Sequence, residues 1–291
     1  MRVNRTISGI SGVEAGHWTD GAAQTGCTVL VFPEGAVGGG VVPGSAPGSR
    51  ELGVLESEHL ADRVHGFCFA GGSAFGLAAA DGVMSELAER GVGFRLGPHC
   101  IPLVPAAILF DLGVASARPT AESGRLATRA ASSEPLAEGR VGAAAGATVA
   151  LASGSPQPGG LGSWLIQDGD LSVAAVVALN AYGSVRDPET GQWLAGDGSV
   201  RTTAPLLSNT TLAAVATDAC LTKPQANIVA QMASAGLARC LYPAYAPVDG
   251  DTVLVAATGA HGSLDAIRLA RLGHLAARCV ERSIVRAMSQ R

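Results

Sequence analysis

The stretch Ser208-Asn209-Thr210-Thr211-Leu212-Ala213-Ala214-Val215-Ala216 sets polar residues directly against an apolar run. A short apolar run bounded by turn-forming residues suits a strand buried on both faces and is too short for a helix. The Gly-, Pro- and Ser-rich segment 190–208, with Gly191, Gly196 and Gly198, leads into it. Similar short apolar runs occur at 28–32, 64–70, 173–179 and 252–256. Helical patterns lie between them. Over 74–90, Leu77, Ala80, Val83, Met84 and Leu87 share one face, and the pattern stops at Gly91. Thr222-Lys223-Pro224-Gln225 is a capping box with Pro in the first turn, opening a helix to about residue 238. Ser263 or Asp265 starts a last helix, striped by Ile267, Leu272, Leu275, Cys279 and Ile284. Strands alternating with helices make the chain an α/β or layered α+β domain, one unit over 1–291. Segments 38–49 and 152–162 read as further Gly/Pro/Ser punctuation. The Gly/Ala-rich stretch 141–151 allows a backbone or a ligand to approach closely.

The 291 residues suffice for a sizeable core without disulfides or metals. Twenty Lys+Arg against 24 Asp+Glu leave a net charge of −4, which excludes the basic face that nucleic acid or an anionic membrane surface requires. No run of 18 apolar residues is present, and residues 1–11 lack the apolar core of a secretory leader. Cys27, Cys68, Cys100, Cys220, Cys240 and Cys279 form no C-x-x-C pair, so reduced cysteines and a cytoplasmic location are expected. With only 15% charged residues and 39 Gly, part of the surface is expected to be hidden in subunit contacts. Lys223 is the only lysine, which excludes Schiff-base chemistry elsewhere. No Walker or dinucleotide-binding glycine pattern occurs. Gly71-Gly72-Ser73-Ala74-Phe75-Gly76 is one residue too long for a nucleophile elbow. The histidines show no metal spacing, so neither metal nor cofactor is expected.

Asn209-Thr210-Thr211 has three readings: a glycosylation sequon, a turn into a strand, and a self-cleavage site. In the third, the Thr210 hydroxyl attacks the preceding carbonyl, and hydrolysis of the resulting ester frees Thr210 as a new N-terminus. An α-amine with a pKa of about 7.7–8 can serve as general base for its own hydroxyl. Asp249-Gly250-Asp251 is likewise either a turn before an apolar strand or a pair of carboxylates that orients Thr210. Gly71–Gly76 reads first as a helix entry.

Gly12-Val13-Glu14-Ala15-Gly16-His17-Trp18-Thr19 followed by Thr25-Gly26-Cys27-Thr28-Val29 resembles the opening of the L-aminopeptidase/D-esterase (DmpA-type) family, which includes β-peptidyl aminopeptidases and nylon-oligomer hydrolases. The likeness continues through Ala70-Gly71-Gly72-Ser73-Ala74-Phe75-Gly76-Leu77, Ala80-Asp81-Gly82-Val83, and the run from Ile101 to Asp111. It extends to Gly159-Gly160-Leu161-Gly162-Ser163, Leu179-Asn180-Ala181-Tyr182-Gly183 and Ala216-Thr217-Asp218, in order over nearly the whole chain.

The resemblance implies an αββα sandwich like that of N-terminal-nucleophile hydrolases, with its own connectivity. It implies self-cleavage after Asn209 into 1–209 and 210–291, with Thr210 as nucleophile, Asn180 as oxyanion donor, and Asp249 and Asp251 supporting Thr210. By the same analogy Gly72 and Ser73 line the substrate site. The implied substrate is a small peptide, amide or ester, with a free amine expected, and the implied assembly is a homo-oligomer, a tetramer of processed protomers. The ornithine acetyltransferase class, which also cleaves before Thr, and an uncleaved non-catalytic homologue are the alternatives. Where family members often carry a lysine, this chain has Ala150, Leu151 and Pro158. Lys223 lies on the capped helix instead, and Arg140 is the cation nearer in sequence.

Overall fold

The computed structural model describes residues 4–201, 209–259 and 263–291. Ser208 and the end of the 190–208 segment lie outside them. Nine strands among the described residues form one folded sheet. They are β1 Glu14–Asp20, β2 Thr25–Val41, β3 Gly48–Arg50, β4 Arg63–Ala70, β5 Ala106–Ile108, β6 Gly160–Asp168, β7 Leu171–Leu179, β8 Leu212–Thr217 and β9 Thr252–Ala257. Their order is β6-β7-β8-β9-β2-β4-β5-β3, with β1 also on β2. The 17-residue β2 is the pivot. Its first half pairs with β1 and β4, and its second half pairs with β9 across Val253↔Val41 to Ala257↔Val37. A register shift between Val31 and Ala36 lets the sheet fold over on itself there.

Period-2 alternation then buries both faces of the central strands β7, β8 and β9. Leu212, Ala214 and Ala216 of β8 join Val176 of β7, Leu254 of β9, and Phe67 and Phe69 of β4 between the two sheet layers. Phe32 and Phe67 meet there edge to face at 5.2 Å. Full burial of each such large side chain contributes about 1.5–3 kcal/mol. The outer face, with Val173, Val215 and Val255, packs against α3 Lys223–Cys240 and α4 Ala266–Ser289. The opposite outer face, with Val29, Cys68 and Ile108, packs against α1 Ala79–Glu89, with Ala127 of α2 Ala121–Arg129 in the same cluster. The layers are therefore helix, sheet, sheet, helix, as the resemblance implied.

Several local readings change. Residues 38–41 are strand rather than loop. Gly38 and Gly40 lie under Leu55, and a Cβ on Gly39 would meet the Ala226 backbone of α3 at 2.5 Å, so the glycines serve close packing. The 74–90 pattern divides into a 3-10 helix, Ser73–Ala78, and α1, because Gly72 and Ser73 enter with positive φ. Helix α2, capped by Thr120 with Ser123, has no counterpart in the sequence reading. Asp265, not Ser263, caps α4, its Oδ1 accepting the Arg268 N–H at 2.8 Å. Thr222 and Gln225 form the expected reciprocal box at the start of α3.

The topology also places chemistry. Strands β8 and β9 are parallel neighbours, with Leu212 opposite Thr252, so the residues just before each lie side by side. Strand β7 runs antiparallel to β8, with Ala178 opposite Leu212, so the residue just after β7 arrives at the same place. Thr210, Asp249–Asp251 and Asn180 therefore converge at one end of the sheet.

Candidate active site

Thr210 is buried, and its peptide bond to Asn209 is held from three directions. The Thr210 N–H donates to the Asn180 carbonyl at 2.7 Å. The Thr210 hydroxyl donates to the carbonyl oxygen of Asn209. Asn209 bridges Asp249 in parallel register. On the far side stands Gly250, where a Cβ would lie 2.8 Å from Thr210 Oγ1 and 2.6 Å from the Ala46 carbonyl oxygen. A glycine at this position gives the hydroxyl the room it occupies.

The two carboxylates play different parts. Asp251 Oδ1 accepts the Thr211 N–H at 2.8 Å, and its Oδ2 accepts the Tyr245 N–H at 3.0 Å. It thus fixes the backbone just after Thr210; these bonds go to the backbone of Thr211 and Tyr245. Asp249 Oδ1 is buried with no hydrogen-bond partner among the described residues, as is Thr211 Oγ1. Burial, and then the nearby Asp251 carboxylate, push Asp249 up to about 9. Burial also raises Asp251, against the pull of its two backbone N–H donors. The pair therefore holds a proton at neutral pH, and Asp249, with fewer donors around it, is the better place for it.

Asn180 is fully buried. Its Oδ1 accepts the Thr148 N–H at 2.8 Å, and its Nδ2 donates to the Phe110 carbonyl at 3.1 Å. This locks the amide orientation and leaves one of the two Nδ2 hydrogens for another acceptor. A cavity of about 250 Å³ opens on Asn209 and Thr210. Ala46, Pro47 and Gly48 form one wall; Ser73, Ala74, Ile108 and Phe110 form the other. Ser73 thus lines the cavity that opens on Thr210. Gly72 stands behind, with φ 84°, and sets the turn that presents Ser73.

Sequence reasoning passed over the residue that holds this turn. Asp111 is buried, accepting the Gly72 N–H at 2.7 Å on Oδ1 and the Thr25 hydroxyl at 2.7 Å on Oδ2. Burial raises its carboxyl above the ordinary range. Its place directly after Phe110, at the end of an apolar run, is the signal that was available. The cations named from the sequence do not reach Thr210. Lys223 lies past the opposite end of β8, with Nζ on the His59 carbonyl at 2.8 Å, and burial lowers its pKa. Arg140 donates to the Ala145 carbonyl. Ala150, at one of the family's lysine places, is buried with φ 62°.

The profile of peptidase family S58 matches residues 5–290. An uncharacterised aminopeptidase of Mycobacterium leprae is 38% identical, over 88% of this chain and 79% of that protein. A 6-aminohexanoate-oligomer endohydrolase of Agromyces is 28% identical, over 84% of this chain and 72% of that one. Among solved structures, a Burkholderia β-aminopeptidase superposes with a TM-score of 0.75 at 23% identity, covering 98% of this chain and 86% of its own. The L-aminopeptidase D-Ala-esterase/amidase of Ochrobactrum anthropi, described as a variant of the Ntn hydrolase fold, gives 0.77 at 16%, covering 99% and 86%. The sandwich is thus shared with the two solved structures, and the chain belongs to peptidase family S58.

Proposed function

We propose that this protein is a self-processing amidohydrolase whose nucleophile is Thr210. The contact of the Thr210 hydroxyl with the Asn209 carbonyl carries the reading. In maturation, Thr210 Oγ adds to the Asn209 carbonyl carbon and the C–N bond breaks, with the proton passing to the departing Thr210 nitrogen. Water then hydrolyses the ester, leaving Asn209 as a carboxylate and Thr210 with a free amine. In turnover, that amine takes the hydroxyl proton, Oγ attacks a substrate carbonyl, and the acyl-enzyme forms as the substrate's amine or alcohol leaves. Water releases the acid. The remaining Nδ2 hydrogen of Asn180 serves the oxyanion. Asp249 and Asp251 hold the strand end on which Thr210 sits and bias its protonation.

Small peptides, amides and esters are the substrates this reading supports. The family match and the named relatives favour water over a second amine as acceptor, and so hydrolysis over acetyl transfer. The six cysteines are free, in keeping with a reducing compartment. No helix among the described residues is long and apolar enough to cross a membrane. The small share of charged residues supports a homo-oligomer of processed protomers, a tetramer by family analogy, which light scattering tests. Incubation with a p-nitrophenyl ester followed by denaturing mass spectrometry tests the nucleophile. The acyl group is expected on the peptide that begins with Thr210; an adduct elsewhere, or equal hydrolysis by Thr210→Ala, contradicts it.

A further inference from the structure

We infer that the Ser73 hydroxyl is a substrate contact: it accepts a hydrogen bond from the nitrogen on the acyl part of the substrate and so sets that acyl group against Thr210. The inference rests on Thr210 as the nucleophile and deepens that reading by naming a group the substrate carries. Ser73 lines the cavity of about 250 Å³ that opens on Asn209 and Thr210. The rest of the walls are glycine, alanine, proline, Ile108 and Phe110, none with a side chain that can hydrogen-bond. The Ser73 backbone N–H is engaged, donating to the Leu109 carbonyl at 3.1 Å. Its half-buried hydroxyl makes no hydrogen bond among the described residues. Asp249 Oδ1 and Thr211 Oγ1 also lack partners, but both residues are buried and lie outside the cavity lining.

The backbone at Ser73 is held in a shape that serine does not favour. Its φ is 54°, directly after Gly72 at 84°. A residue with a Cβ resists the left-handed region, which glycine enters freely. The surroundings enforce the turn. Asp111 Oδ1 accepts the Gly72 N–H at 2.7 Å, the Gly71 N–H donates to the Gly26 carbonyl at 2.9 Å, and a Cβ on Gly71 would run into the Asp111 carboxylate. Glycine at position 73 would keep this turn with less strain, yet serine stands there, at the cavity that holds the nucleophile. Strained residues over-determined by their surroundings concentrate at ligand-binding sites. What position 73 supplies is therefore its side chain, a hydroxyl in an otherwise apolar wall. The chemistry of the substrate names the partner. Near the reacting centre, the acyl part of a peptide or amino-acid amide has two polar groups, the attacked carbonyl and a nitrogen. The carbonyl falls to Asn180. The nitrogen, as a free amine or an acylated amide, has N–H to donate, and the Ser73 oxygen has lone pairs to accept it.

Two variants test this. Ser73→Ala removes the hydroxyl and keeps the strain; Ser73→Gly removes both. The probes are leucine p-nitroanilide, N-acetylleucine p-nitroanilide and p-nitrophenyl 4-methylpentanoate, an ester with the leucine carbon skeleton and no nitrogen on its acyl group. Both variants are expected to lose about tenfold in kcat/KM on the leucine anilide, chiefly through a higher KM, and only about twofold on the ester. An equal loss on the N-acetyl compound marks any N–H as the partner; a loss confined to the leucine anilide marks the free amine. Ser73→Gly is expected to melt about 1–3 °C above Ser73→Ala, so that its lost activity is not lost folding. A lower Tm for Ser73→Gly overturns the strain argument. Wild-type kcat/KM on the leucine anilide in either variant, or equal losses on all three probes, overturns the contact. So does a wild type that turns over the ester and not the leucine anilide. In these cases an ester activity abolished by Thr210→Ala leaves the nucleophile standing. Ester turnover that survives Thr210→Ala, or no turnover of any probe, overturns the nucleophile and the inference together.

Discussion

Gly250 leaves open the space that the Thr210 hydroxyl uses: a Cβ there would lie 2.8 Å from Oγ1, hemmed in by the Ala46 carbonyl oxygen at 2.6 Å and Pro47 Cα at 2.9 Å. The neighbours on that side are backbone, which cannot swing away. The hydroxyl must yield instead.

Gly250→Ala is therefore expected to slow self-cleavage by about 10²-fold, since small misplacements of a reacting group cost rates of that order. The time course of the intact 29.1 kDa chain by mass spectrometry measures it. Cleavage at the wild-type rate in a folded variant would contradict the packing argument.

Asp249 gives a pH signature. Its carboxyl is held up to about 9 in the folded chain, against about 3.9 when unfolded. The native state therefore binds the extra proton between those values, and stability falls as pH rises through that window. Asp249→Asn removes the loss. In a Thr210→Ala background, which keeps the chain intact, Asp249→Asn is expected to equal or exceed its parent at pH 9 by at least about 2–4 °C in Tm relative to their difference at pH 5. Parallel Tm profiles across the window would show that Asp249 ionises freely.

Asn180 links chemistry and fold. Asn180→Ala leaves the Thr148 N–H and the Phe110 carbonyl without their partner. A stability loss of about 1–3 kcal/mol follows from the unsatisfied groups. Removal of the oxyanion donor is expected to lower kcat by about 10²–10³, with a smaller change in KM. Urea unfolding and steady-state kinetics separate the two effects; near-normal kcat removes Asn180 from the reaction.

Much of this was legible in the chain because the relevant signals are local. The apolar runs at 173–179, 212–216 and 252–256 are strands buried on both faces, and the box at Thr222 starts a helix as written. The approach of Asn180 to Thr210 was reached only through family likeness, and the residues at Asp249 left a turn and a Thr210-orienting carboxylate both open, since strand order and direction are long-range properties. The glycines at 38–40 misled because a glycine demanded by close helix packing looks, in sequence, like one demanded by a turn. Asp111 went unread for a related reason: its partners, Thr25 and Gly72, are 86 and 39 residues away.

Asp111 supplies a further expectation. Asp111→Ala strands the Gly72 N–H and the Thr25 hydroxyl and frees the turn that carries Ser73. A loss of about 2–4 kcal/mol in urea unfolding is expected, together with a rise in KM larger than the fall in kcat. Asp111→Asn, which keeps an acceptor for Gly72, should recover part of both. Identical behaviour of the two variants would contradict the positioning role.

The central claim is that the bond between Asn209 and Thr210 is broken by Thr210 itself. Intact mass with N-terminal sequencing of freshly purified protein tests it most directly. The account predicts two fragments, 1–209 and 210–291, the smaller beginning at Thr210, and a single uncut chain for Thr210→Ala. A wild-type chain that stays whole through long incubation at neutral pH, or a Thr210→Ala chain cut at the same bond, would contradict it.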